Sequence, residues 1–138
     1  MHSNTIHGLI AQNKAELRAI EKGYIVSKPI HECVRYDMLV DDGKSIKRLQ
    51  VKYAGGKQSS STGSCKVDFR KKSINGTRRN YYTKEEIDGA VVYIPELDEV
   101  CYFPIEVIEN KPTLTIRYVD STKSNRMKDV TFAKDYIW

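Results

Sequence analysis

The chain has 138 residues, 40% hydrophobic and 30% charged, with a formal net charge of +5. That length suits one domain and is short for two, and a domain of this size buries roughly two-thirds of its unfolded surface without needing cross-links. An ordinary apolar fraction excludes wholesale disorder, and no apolar run approaches membrane-spanning length. The opening MHSNTIHGLIAQNK lacks a signal-peptide core. Cys33, Cys65 and Cys101 are an odd, widely spaced set, so they read as reduced thiols of a cytoplasmic protein rather than a disulfide framework. His2, His7 and His31 have no zinc-ligand spacing.

In chain order, Ser3 or Asn4 can cap a first helix that runs to about Lys22 and stops at Gly23. At ~100° per residue, Ile6, Ile10, Asn13, Leu17 and Ile20 fall on one side and are expected to face the core. Glu16 lies about 20° from Leu9 at the edge of that stripe, where it would look toward the sheet. Tyr24 to Val26 starts a short strand that Pro29 ends. Arg35 to Asp41 and Ser45 to Tyr53 read as two strands around the turn pair Asp42-Gly43. Ala54 to Gly63 is a flexible loop, Cys65 to Phe69 a third strand, and Arg70 to Arg79 a basic loop around Asn75-Gly76. Thr83 to Glu86 looks like a capped helical turn and small second helix. Ala90 to Ile94, Val100 to Ile105 and Leu114 to Tyr118 are further strands. Asp120 to Trp138 is a polar tail with an aromatic end, which either folds back on the core or supplies a surface for self-association. One helix, a sheet and a small second helix make a single mixed α/β domain spanning residues 1–138.

Charge is distributed unevenly. Lys44 to Arg79 holds eleven Lys and Arg against one acid, Asp68, whereas the other 102 residues carry a net −5. A basic segment on an otherwise acidic chain is a footprint for a polyanion.

The second strand of the hairpin raises a separate question, because it sets Gln50 and Lys52 two apart on one face. A two-residue turn at Asp42-Gly43 places Asp37 opposite Arg48, on the same face as Gln50 and Lys52. A shift of two residues would instead set Asp37 against Gln50. Leu49, Val51 and Tyr53 line the other face. Asp37 lies between apolar neighbours, and a carboxylate there needs a cation or a metal. One reading is an ordinary ion-pair cluster: Asp37 with Arg48 or Arg35, and Glu16 with Lys52. The other is a metal site in which Asp37, Glu16 and the Gln50 amide offer hard oxygen ligands and Lys52 contacts a phosphate.

These residues resemble the PD-(D/E)XK nuclease fold. Tyr36-Asp37 stands where that superfamily has Pro-Asp, and Gln50-Val51-Lys52 stands where it has an acid, any residue, then Lys. GYIVSKPIHECVRYDMLVDDGKSIKRLQVKYA and YYTKEEIDGAVVYIPELDEVCYFPI are most similar to its group I intron-encoded homing endonucleases, over roughly Ile6 to Ile105. The resemblance implies a mixed central β-sheet with flanking helices, as in restriction endonucleases. It implies a site of Glu16, Asp37, Gln50 and Lys52, with one or two Mg²⁺ held by Asp37, Gln50, the Val51 carbonyl and Glu16. The departure is Gln50, a neutral ligand that leaves the site one negative charge short.

The implied activity is site-specific cleavage of double-stranded DNA. Arg35, Lys57, Gln58, Ser59, Ser60, Lys66, Arg70, Lys71, Lys72, Arg78 and Arg79 are the DNA-binding candidates. Lys66, Asp68 and Arg70 alternate on one strand face that could enter the major groove. A globule of this length is roughly 37 Å across, about one turn of DNA, and one active site cuts one strand, so a homo-dimer or tetramer is expected. The alternatives are an inert DNA-binding protein on the same fold, and a restriction or junction-resolving nuclease.

Overall fold

The computed structural model describes residues 3–57, 63–70, 81–119 and 130–138. Helix α1 covers Ser3–Glu21. It ends where Gly23 takes a left-handed φ of 81°, with Gly23 N donating to Ile20 O at 2.9 Å and Tyr24 N to Ala19 O at 3.0 Å. That bond pair is the Schellman arrangement, which favours glycine at this position.

The helix turns the opposite face inward from the one its large side chains suggest. Ala11, Ala15 and Ala19, at successive i+4 positions, are the buried residues. Ile6, Leu9, Ile10, Leu17 and Ile20 stay exposed. A row of methyl side chains lets the helix backbone lie close on a sheet, and the bulkier aliphatic row is left outside.

The sheet beneath α1 has five strands in the order β1 (Ile25–Ser27), β2 (Met38–Asp41), β3 (Ile46–Tyr53), β6 (Gly89–Ile94), β7 (Glu99–Pro104). It is mixed: β3 and β6 are parallel and the other neighbours antiparallel. Every residue of β6 is buried, as befits a strand covered on both faces. A second sheet orders β4 (Gly56–Lys57), β5 (Ser64–Asp68), β8 (Thr113–Arg117) and β9 (Thr131–Phe132). Two cores result. One joins the alanine face of α1 to Met38, Val40, Leu49, Val51 and Val91. The other joins Ala90, Val92 and Ile94 of β6 to Cys65 and Val67 of β5 and Leu114 and Ile116 of β8. The chain is therefore layered as helix, sheet, sheet.

Several elements differ from the sequence reading, β4 within the stretch expected to be a loop among them, and the tail takes one of its two expected places. The hairpin connecting β2 and β3 is longer than two residues, because Asp41 pairs with Ile46. Asp42 is the reason: its Oδ1 accepts from the backbone N–H of Lys44 at 2.8 Å and of Ser45 at 2.9 Å, which stabilises a four-residue loop through Gly43 at φ 89°. Residues 83–87 form one hydrogen-bonded turn, with Glu86 N and Ile87 N both donating to Thr83 O. The second helix, α2, is instead Ile105–Ile108. The aromatic tail folds back on its own sheet. Tyr102 N donates to Tyr136 O at 2.8 Å and Trp138 N to Val100 O at 2.9 Å, so residues 136–138 cover the β7 edge, and the Trp138 ring packs near Tyr24 and Tyr102.

Cys33, Cys65 and Cys101 are free thiols, and burial pushes Cys65 up to about 11 and Cys101 to about 12. No described helix is long and apolar enough to cross a membrane.

Candidate active site

The longer loop moves the β2–β3 register by two residues, and that shift builds the site. Met38 lies opposite Leu49, so Asp37, one residue before β2, comes opposite Gln50. Asp37 N donates to Leu49 O at 2.9 Å. Beyond this point β3 continues without a β2 neighbour, and the Asp37 side chain takes the neighbour's place. Its Oδ2 accepts from Gln50 Nε2 at 2.8 Å and from Val51 N at 2.8 Å.

Strand geometry then fixes the Val51 carbonyl. Arg48 and Ala54 bond toward the β6 side, to Asp88 and Tyr93, so residues 48, 50, 52 and 54 direct their backbone polar groups there. The N–H and C=O of one strand residue point to the same side. Val51 C=O therefore faces the same gap as Val51 N–H, the gap occupied by the Asp37 carboxylate. Asp37 and Val51 C=O face one gap as hard oxygen donors, and the Gln50 amide meets it through Nε2; turning that amide over would bring its Oε1 there and complete a set that fits Mg²⁺ or a similar cation. Among the described residues no group of three His, Cys, Asp or Glu could hold a metal, so a cation here would rely on one carboxylate and neutral oxygens.

Lys52 projects from the same face, with Nζ 5.7 Å from the centroid of the Tyr82 ring. Burial lowers its pKa, against the opposing attraction of Asp37 and Asp68. Burial likewise raises the Asp37 pKa, outweighing the Val51 N–H bond and the Lys52 charge. Each charge is thus short of solvation despite its neighbour. A cation beside Asp37 and an anion beside Lys52 would together supply what water no longer does.

The ion pairs of the ordinary-cluster reading form differently. Arg48 turns to Asp88, Nε to Oδ2 at 3.2 Å, and donates to the carbonyls of Glu85 and Lys84. It thereby ties β3 to the turn that follows Tyr82. Arg35 pairs with Glu86 at 3.2 Å. Glu16 pairs with Lys28, not Lys52, at 2.7 Å. Lys28 follows β1, and Ser27 is opposite Leu39, so this pair sits at the end of the sheet where β2 begins, which is the Asp37 end.

Of the DNA-binding candidates, Lys66 is exposed on β5 beside exposed Asp68. Arg70 is bound to Asp68, Nη2 to Oδ2 at 2.6 Å and Nε to Oδ1 at 2.8 Å, and this hydrogen bonding, aided by the Arg70 charge, holds Asp68 down to about 2. The expected reading row of Lys66, Asp68 and Arg70 is therefore partly closed on itself. Lys57 lies in β4. Gln58, Ser59, Ser60, Lys71, Lys72, Arg78 and Arg79 lie outside the described residues.

Sequence reasoning missed Tyr82 as a wall of the site and Asp68 as a second charge acting on Lys52. Neither could be placed from spacing, because both lie within the long connection between β3 and β6.

A family model described as PD-(D/E)XK endonuclease matches residues 2–138. Among solved structures, a bacterial homing endonuclease, I-Ssp6803I, superposes with a TM-score of 0.75 at 29% identity, over 99% of this chain and 89% of that one. Comparison with curated proteins gives no match.

Proposed function

The chain belongs to the PD-(D/E)XK endonuclease family, and we propose that it is a site-specific, Mg²⁺-dependent endonuclease of the homing type, hydrolysing phosphodiester bonds in duplex DNA. One observation carries the reading: Asp37 Oδ2 binds both Gln50 Nε2 and Val51 N, and a desolvated Lys52 stands one residue on. The likeness to a bacterial homing endonuclease favours that type within the family.

A divalent cation at Asp37, Val51 C=O and the Gln50 amide oxygen would draw electron density from the scissile phosphate. Asp37 supplies the anionic ligand, and the β2–β3 register holds it in place. Lys52 faces the phosphate oxygens and stabilises the negative charge that builds on them, more strongly for being partly removed from water. Water adds in line to phosphorus, and the 3′ oxygen leaves and takes a proton, giving a 3′-hydroxyl and a 5′-phosphate. Tyr82 offers its ring face to the Lys52 ammonium and limits its motion. Glu16, at the same end of the sheet, is the candidate for a further contact to metal or water. Lys57 and Lys66 on the β4–β5 ribbon, the polar segment 58–62 and the basic segment 71–80 would hold the duplex. Two or four copies would act together, each cutting one strand of a pseudo-palindromic site.

A second reading draws on Gln50: an inert DNA-binding protein that keeps the fold with one acid fewer. Incubation with duplex DNA, with Mg²⁺ and with chelator, separates them, because the inert protein binds and never cuts.

A further inference from the structure

A cavity of about 250 Å³ lies between the turn that joins β6 to β7, the end of β8, and β9 with the residues that follow it. Leu97, Phe132, Ala133 and Ile137 give it apolar walls, and Arg117, Tyr118 and Lys134 supply its polar groups. Ile137 bridges Cys101 of β7. In the first sheet β7 and β2 lie on opposite sides of β3 and β6, so the cavity is separate from the Asp37–Lys52 site.

Its charge is one-sided. Two cations line it and no acid does. The acid whose charge reaches Tyr118 is Glu96, which is outside the lining. Burial, together with that charge, raises the Tyr118 pKa, so the hydroxyl stays a neutral donor. Lys134 Nζ stands 5.2 Å from the Phe132 ring centroid, so ammonium and ring form one wall. Arg117 makes the strongest demand. Its Nε is buried, and among the described residues nothing accepts its N–H. A buried charged donor without an acceptor is costly. The Nε–H and a neighbouring Nη–H of a guanidinium form a planar edge that matches the two oxygens of a carboxylate. Water can accept from Nε but would wet the apolar walls, whereas a carboxylate on an apolar body satisfies both. The volume lies under the roughly 300 Å³ at which pockets for drug-sized ligands begin, which suits a small molecule and excludes a duplex.

We propose that this cavity binds a small organic carboxylate with a compact aromatic or branched apolar body, its carboxylate on Arg117 and its body against Phe132, Leu97 and Ile137. The proposal stands independently of the nuclease reading. The test titrates the full chain with phenylacetate, with its neutral amide phenylacetamide and with inorganic phosphate, following the methyl NMR signals of Leu97 and Ile137. Phenylacetate should bind saturably, and at least about tenfold more tightly than either control, because it alone offers both the charge and the apolar body. Arg117→Met should lose about tenfold in phenylacetate affinity. Ile137→Trp, at an exposed position, should fill the cavity and abolish binding with the far-UV spectrum kept. Equal binding of phenylacetamide would mark a merely apolar cavity, and equal binding of phosphate a bare anion site. Either result would overturn the proposal. So would phenylacetate affinity unchanged in Arg117→Met or Ile137→Trp, or no saturable response to phenylacetate, as when a second copy of the chain closes the cavity.

Discussion

Asp37 is where several physical demands meet. Its carboxylate completes backbone hydrogen bonding for a strand that has outrun its neighbour, and burial raises its pKa above the ordinary 3.8. Between those two values the folded chain binds more protons than the unfolded one, so the metal-free fold loses stability as pH rises through that window. Asp37→Asn should therefore stabilise the metal-free protein at neutral pH. The gain should shrink to nothing below the unfolded value, as thermal unfolding across pH would show. Metal binding has the opposite demand, since it needs the ionised form. The half-saturating Mg²⁺ concentration should rise as pH falls through the raised Asp37 range, with a proton released per ion bound, measurable by titration calorimetry in two buffers. Gln50→Glu would place a second carboxylate within hydrogen-bond reach of Asp37. It should lower the half-saturating Mg²⁺ concentration by roughly tenfold, because affinity follows ligand charge; an unchanged value would remove Gln50 from the metal site.

At the scale of elements, α1 and the β2–β3 hairpin set the lessons. Ranking helix residues by hydrophobicity selects Ile6, Ile10, Leu17 and Ile20 for the core, yet the structure buries Ala11, Ala15 and Ala19. Close approach to a sheet rewards small side chains at i, i+4 and i+8, and that row was visible in the sequence as a second, weaker periodicity. Ala15→Leu should accordingly cost about 1–3 kcal/mol by overpacking, whereas a polar residue at Leu17 should leave unfolding unchanged. The strand β6 was legible because a continuous apolar run marks a strand covered on both faces; β7, half-buried at Glu99, Tyr102 and Pro104, was legible from its own short apolar run. The hairpin register was legible only as two alternatives, since the choice depends on Asp42 accepting two backbone N–H bonds. Lys52 and Gln50 were readable from period two alone. Tyr82 and Asp68 were not, because a crossover of more than thirty residues separates β3 from β6.

Across the whole molecule, the proposed function has the basic segment and the site serve one polyanion. Replacing Arg78 and Arg79 with Ala should flatten the log–log salt dependence of DNA binding by about 0.9 for each phosphate that is no longer neutralised; an unchanged slope would mark those charges as a solvated face. The layered fold puts Asp37 and Lys52 at the β2 end of a mixed sheet, with the β4–β5 ribbon on the second sheet available to the duplex. The central claim is that this end of the sheet hydrolyses DNA. The most direct test incubates the wild-type chain, Asp37→Ala and Lys52→Ala with a large random-sequence duplex library, in Mg²⁺ and in chelator, and reads the ends by sequencing. The account predicts 5′-phosphate ends at a restricted set of sites for the wild type in Mg²⁺ alone. It predicts no cleavage by either variant, with DNA affinity kept within roughly tenfold, because both side chains act on the transition state rather than on docking. Full cleavage by Asp37→Ala or Lys52→Ala, or binding without cleavage by the wild type in Mg²⁺, would contradict it.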